Sequence, residues 1–163
     1  MWEPTEAEGG RLAVRWWKWA WSAPADRDPV TDETGEHADW NQPDDVWFLA
    51  GTYGGTVVRK CEIPAGRRLF LPVVNTVGPG NLLAPVPVEM GMTRAEATLN
   101  GKSLPLREYT SKPFRAKGLT RHVAWGLWSA LDPLPPGPYV LEIRARSTGG
   151  FEVDTTYHLT AVA

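Results

Sequence analysis

Residues 139–160, YVLEIRARSTGGFEVDTTYHLT, decide the fold. Tyr139, Leu141, Ile143 and Ala145 alternate with Glu142, Arg144 and Arg146. After Gly149-Gly150, Phe151, Val153, Thr155, Tyr157 and Leu159 alternate with Glu152, Asp154, Thr156, His158 and Thr160. A period of two puts successive side chains on opposite faces, so each run is a strand with one dry face and one wet face, as in an antiparallel sandwich.

Working back along the chain, PLPPGP at 133–138 is a rigid turn. Before it, Val123–Leu131 reads as an apolar strand with Trp125 and Trp128 on opposite faces. Asn100-Gly101 lies between Arg94–Leu99 and Lys102–Leu106. That dipeptide suits a type I′ hairpin turn, which needs positive φ at both central positions. Residues 107–121 are polar, contain Pro113 and Gly118, and read as a loop. Residues 78–92 read as an irregular crossing segment.

RLFLPVVNTV at 68–77 is apolar on both faces, which predicts a central strand, and Pro72 within it predicts a bulge or a local edge position. Val57, Cys61 and Ile63 alternate with Lys60 and Glu62, with Arg59 as a charged exception on the apolar side. VWFLAGT at 46–52 is a short apolar strand. Residues 46–163 thus read as a β-sandwich or barrel.

Upstream, residues 5–22 are the one convincing helix. Thr5 and Glu8 have capping-box spacing. Gly9-Gly10 weakens the first turn and predicts that the regular helix starts near Arg11. Leu12, Trp16 and Trp19 share one face, while Trp17 and Trp21 point away from it. The apolar arc is wider than one sheet face covers. Either the helix is buried on two sides, or Trp17 and Trp21 line an exposed surface. Its expected seat is the dry face of the C-terminal strands. Residues 25–45, ADRDPVTDETGEHADWNQPDD, form a long acidic loop, and loops of that length tend to be functional or mobile.

Composition bounds the rest. The 163 residues suit one domain, 1–163, with one core. With 42% hydrophobic and 22% charged residues the chain is too apolar to be disordered. A net charge of −2 without a Lys/Arg run argues against a nucleic-acid partner. No apolar stretch reaches the roughly 20 residues of a membrane span, so no membrane partner is expected. The polar, acidic N-terminus points to a cytoplasmic location. A chain trimmed of a signal peptide reads the same way and points to export. Cys61 stands alone and reads as a small buried apolar residue. No P-loop, Rossmann glycine pattern, nucleophile elbow, HExxH or CxxC is present, so neither a cofactor nor a metal is expected.

Several blocks together carry a resemblance: RWWKWAWSAP at 15–24, VWFLAGTYGG at 46–55, CEIPAGRRLFLPVVN at 61–75, PLPPGPYVLEI at 133–143 and GGFEVDTTYHLT at 149–160. Their combined order resembles a family of small, uncharacterised bacterial proteins, usually exported. The resemblance implies one continuous β-rich domain and brings no catalytic residues. It also implies a Cys near position 37 that pairs with the one matching Cys61. His37 stands there in this chain, which weakens the expectation of export.

Nine Trp are the most unusual feature. Indole faces stack on sugars, aryl groups and cations. Trp17, Trp21, Trp40 and Trp125, with Asn75 at the end of an apolar strand, are therefore the candidate ligand-binding residues. Trp16, Trp19, Trp47 and Trp128 read as core. His37, Asp39, Glu89 and His122 are the weaker candidates for acid–base catalysis. The EF-hand pattern fails in the acidic loop, because Val30 stands where an oxygen ligand is required.

Three functional readings follow. The first is a soluble β-sandwich that binds a small or carbohydrate-like ligand between the helix, the acidic loop and the strand ends near Asn75 and Trp125. The second is a small cofactor-independent hydrolase, isomerase or cyclase. The third is an assembly protein, including a homodimer, that buries Trp17 and Trp21 against a partner.

Overall fold

The structure, a computed structural model, describes residues 1–80, 88–115, 118 and 120–163. Among the described residues it is mainly β, a sandwich of two curled sheets with a single α-helix near the N-terminus. The helix, α1 (Glu6–Ser22), carries the expected capping box. The Thr5 hydroxyl accepts from the Glu8 amide at 3.2 Å, and the Glu8 carboxylate accepts from the Thr5 amide at 2.8 Å.

The helix starts at Glu6 and not near Arg11, because Gly9 and Gly10 are a packing device within it. A Cβ on Gly9 would lie 2.2 Å from the Tyr109 ring, and one on Gly10 would lie 3.2 Å from the Thr110 carbonyl oxygen. The two glycines let the first turns press onto a strand.

The strands are β1 (Val46–Phe48), β2 (Gly55–Pro64), β3 (Arg68–Pro79), β4 (Met92–Leu99), β5 (Lys102–Ser103), β6 (Arg107–Thr110), β7 (Phe114–Arg115), β8 (Arg121–Leu131), β9 (Gly137–Ser147) and β10 (Glu152–Val162). One sheet runs β1-β3-β8-β6, with β7 also on β8. The other runs β2-β10-β9-β4-β5. Most neighbours are antiparallel, while β1 pairs with β3 and β2 with β10 in parallel. Asn100 and Gly101 take φ of 49° and 79°, the turn their dipeptide predicts. The strand expected to run on to Leu106 ends at Ser103. Residues 107–121 are not simply a loop, since β6 and β7 lie there and pair with β8. Of the crossing segment at 78–92, residues 81–87 lie outside the described residues.

Two apolar layers explain the strand patterns. The dry face of β9 and β10 (Leu141, Ile143, Tyr157, Leu159) meets Leu69, Leu71 and Val74 of β3 and Trp125 of β8 between the sheets. The opposite face of the first sheet, with Phe48, Phe70, Ala124 and Trp128, packs against Leu12, Trp16 and Trp19 of the helix. The helix therefore does not sit on the C-terminal strands. It caps the far side of the first sheet, and β3 and β8 are apolar on both faces because both faces are covered. Trp125 and Trp128 point into different layers, as their odd spacing requires.

The acidic loop is ordered. Arg59, 2% exposed, reaches from β2 and donates to the carbonyls of Val30, Asp32, Ala50 and Gly51 and to the Tyr157 hydroxyl, at 2.7–2.9 Å. Gln42 donates to the Ala38 and Phe48 carbonyls and accepts from the Phe48 amide, which ties the far end of the loop to β1. Among the described residues no helix is long and apolar enough to cross a membrane.

Candidate functional site

Pro72 has no amide hydrogen and cannot complete the β3–β8 ladder. The register shifts between Pro72 and Val74, so the strand bulges at Val73. A bulge bends its strand and re-aims the neighbouring side chains. Here it opens a cavity of about 210 Å³. Pro72, Val73, Val74 and Asn75 form one wall. Trp16 and Trp17 of the helix form the roof, and Val30 closes the side belonging to the acidic loop. Gly51, Thr52 and Tyr53 come from the β1–β2 connection. Met90, Phe151 and Val153 complete the lining.

Two features of this lining matter chemically. First, it is mostly aromatic and aliphatic, and among its described residues Tyr53 alone titrates. Second, two of its residues carry a buried donor without a partner. The Trp17 indole Nε1 and the Asn75 amide Nδ2 are both buried and have no hydrogen-bond partner. Buried polar atoms are normally paired, and leaving one unpaired costs about 1–3 kcal/mol. Neither nitrogen is reachable by a water molecule from the cavity, and Trp47 Nε1, His122 Nε2, Trp128 Nε1 and Thr155 Oγ1 are buried and unpartnered away from it.

Trp47 Nε1 and Trp128 Nε1, away from this cavity, are likewise buried and unpartnered, while other indoles are paired. Trp16 donates to the Leu49 carbonyl at 3.0 Å, Trp19 to the Trp40 carbonyl at 2.7 Å, and Trp125 to the Glu108 carboxylate at 3.0 Å. A larger open groove of about 580 Å³ runs between the helix and the β6–β7 segment, past Val14 and Phe114, but none of the buried unpartnered atoms belongs to its lining.

The structure brings two of the five candidate ligand-binding residues, Trp17 and Asn75, to this cavity. Trp17 is 6% exposed, so it is a buried wall and not an exposed platform. Trp21 lies against it, ring centres 5.2 Å apart, and also contacts His122 and Phe114. Trp17 is covered from within the chain and Trp21 is half-buried, because the helix is buried on two sides. Trp40 sits apart, with its amide nitrogen bonded to the His37 carbonyl and Arg27 over its ring. Trp125 is buried between the sheets.

The four acid–base candidates are not assembled. His37 faces Glu36 at 3.3 Å, Asp39 and Glu89 are exposed, and His122 lies among Trp21 and Phe114 with its Nε2 unpartnered. No hydrogen bond or ion pair joins any two of the four. Among the described residues no group of three His, Cys, Asp or Glu is placed to hold a metal.

The wall at Val30 is preorganised. Next to it, the Asp32 carboxylate is 8% exposed and accepts from the Thr34 amide and hydroxyl and from the Gly35 and His37 amides, at 2.9–3.1 Å. Burial alone pushes its pKa up. Those donors outweigh burial and hold it below the ordinary carboxylate value. Burial pushes the Cys61 thiol up to about 12, which makes it a packing residue and not a nucleophile.

Sequence reasoning had Pro72 and Asn75 in view but missed Trp16, Gly51, Tyr53, Phe151 and Val153 as lining. The one local signal was the pairing of a strand proline with a nearby polar residue in an apolar run. Compared with family models, curated proteins and solved structures, the chain gives no match.

Proposed function

We propose that the domain binds a small organic ligand in the cavity beneath Trp16 and Trp17. The observation that carries this reading is a cavity of about 210 Å³ whose lining is mostly aromatic and aliphatic, with Asn75 and Thr52 as polar exceptions. A mostly apolar cleft with a few polar groups is the usual form of a small-molecule site. Its volume is that of about seven water molecules at ~30 Å³ each, which suits one substituted ring. The lining supports binding over acid–base catalysis, because its described residues include no histidine or carboxylate.

A plug variant tests this. Gly51 lines the cavity, and a Cβ built there meets its nearest neighbours at 3.8 Å and 4.0 Å, ordinary contact distances. Gly51→Leu therefore fills the cavity while keeping the fold. We expect members of a panel of monosaccharides and small cyclic compounds to shift tryptophan fluorescence and raise Tm in the wild type, and to do neither in Gly51→Leu. A silent wild type, or an unchanged response in the plugged variant, overturns the reading.

A further inference from the structure

The open groove beside the helix shares no lining residue with the cavity under Trp16 and Trp17. Its volume of about 580 Å³ falls within the range of small-molecule pockets, roughly 300–1,000 Å³. Its apolar part follows from local sequence. Ala7, Gly10 and Val14 recur at helical spacing on one face of α1, and all three are small. Gly10 also lets the helix backbone approach β6 at Thr110. Pro113 and Phe114 supply the apolar lining on the strand side.

Cations flank this lining. Arg11 and Arg15 come from the helix and Lys112 from the β6–β7 connection, against one acid, Glu6. That balance runs counter to the chain as a whole, whose net charge is −2. Arg15 is already engaged, since it donates to both Asp45 carboxylate oxygens at 3.0 Å and 2.6 Å. Arg11 and Lys112 are exposed and, among the described residues, enter no ion pair. Glu8 stands three residues before Arg11, but its carboxylate accepts from the Thr5 amide at 2.8 Å. Glu6 is five residues before Arg11, a rise of about 7.5 Å along the helix. Gly10 meets Thr110 and Trp21 meets Phe114, so the helix and the β6–β7 segment run the same way. Lys112 therefore lies toward the Phe114 end of the groove, away from Glu6.

The two uncommitted cations lie one on each side of an apolar trough. A neutral hydrocarbon would leave both unused, and an amine would meet like charge. An acid with an apolar body matches both parts. Its body leaves water along Val14 and Phe114, and its head gains charge-assisted hydrogen bonds.

We infer that the groove binds a small amphipathic carboxylate, an alkyl or aryl acid whose head pairs with Arg11 and Lys112 and whose body lies along Val14 and Phe114. This site stands independently of the cavity.

The test titrates the full chain, ¹⁵N-labelled, with sub-micellar decanoate and decyltrimethylammonium, which share an alkyl chain and differ in the sign of the head. Decanoate should shift the Val14 and Phe114 amide resonances. It should bind at least about tenfold more tightly than the ammonium, since it gains two exposed ion pairs where the ammonium meets two like charges. The preference should shrink between about 0.05 M and 0.5 M salt. Arg11→Glu with Lys112→Glu alters two exposed side chains and should reverse it. Ala7→Trp, at another exposed position, fills the groove and should abolish binding of both probes. Gly51→Leu should bind decanoate as the wild type does. The comparison of the two probes on the wild type stands even if a variant does not fold.

Equal affinity for the two probes, or a decanoate preference that survives the charge reversal, would overturn the inference and leave the cavity reading untouched. Silence at Val14 and Phe114 would do the same. Loss of decanoate binding in Gly51→Leu would move the acid into the cavity and likewise overturn it. A chain that sediments as a dimer, and that Ala7→Trp splits into monomers, would assign the groove to a second copy instead.

Discussion

Gly9→Ala sets two effects of opposite sign against each other. Gly9 lies inside α1, where alanine is favoured over glycine by about 1 kcal/mol. On helix propensity alone, the substitution stabilises. The structure reverses this. The new methyl would sit 2.2–2.4 Å from three carbons of the Tyr109 ring, whereas carbon atoms rest about 3.5–4.0 Å apart. The ring would have to retreat by more than about 1 Å. Tyr109 is 2% exposed, and its hydroxyl is tied to the Pro4 carbonyl at 2.8 Å, so it has little room to move. Overpacking of this kind costs about 1–3 kcal/mol, and loosening the buried Tyr109–Pro4 bond adds about 1 kcal/mol. After the propensity gain, the net loss is about 2 kcal/mol, a fall of about 4–8 °C in Tm for a chain of this size. Urea unfolding and a thermal melt measure it. A double-mutant cycle isolates the cause, because in a Tyr109→Leu background the Gly9→Ala step should cost little or become favourable. A Gly9→Ala protein as stable as the wild type refutes the packing argument.

Arg59→Met removes the donor set that fixes the acidic loop, leaving the Val30, Asp32 and Gly51 carbonyls to find water, while the Tyr157 hydroxyl and the Ala50 main chain keep each other. At about 1–3 kcal/mol for each group left buried, the loss should reach at least about 3 kcal/mol, and protease cleavage should appear within residues 28–34. Arg59→Lys should not restore protection, because one ammonium cannot span acceptors on both sides of a planar fork; a loop that stays protected in both variants would show that other contacts hold it. Asp32 titrates below its ordinary value when folded, so its contribution is present above the unfolded pKa of about 3.9 and is lost as pH falls through the lower folded pKa. Asp32→Asn should therefore be about 1–3 kcal/mol less stable than wild type at pH 7 and lose less stability between about pH 5 and pH 3. Parallel pH profiles from urea titrations would sink that assignment.

Elements with strong local signals were legible, and those that depend on distant partners were not. The β9–β10 alternation, the Asn100-Gly101 turn, the Thr5–Glu8 cap and the Pro72 bulge each follow from a few neighbouring residues. By contrast, β6 is four residues long and has one buried side chain, Tyr109. It forms because β8 offers a ladder, and nothing within Arg107–Thr110 announces that. The glycines at 9 and 10 misled for the same reason. Locally they weaken a helix, and only the strand 100 residues away makes them useful. The seat of the helix was also a non-local choice, because the double-sided apolarity of β3 marks a covered strand without saying what covers it.

The cavity shows the same limit more sharply. A buried indole is a large apolar surface with one N–H that must find an acceptor. Nine Trp in a sequence read identically in this respect, yet Trp16, Trp19 and Trp125 have acceptors while Trp17, Trp47 and Trp128 have none. The Pro72 bulge and Asn75, three residues on, both line the cavity beneath Trp17. A polar residue shortly after a strand proline is visible in the sequence, and it marked the right neighbourhood. Which indole roofs that cavity is decided by how the helix lies across the sheet, and that depends in turn on Gly9 and Gly10. Moving the helix outward with Gly9→Ala should therefore also disturb the cavity roof, coupling the stability of the first helical turn to ligand affinity although Gly9 is not in the cavity lining.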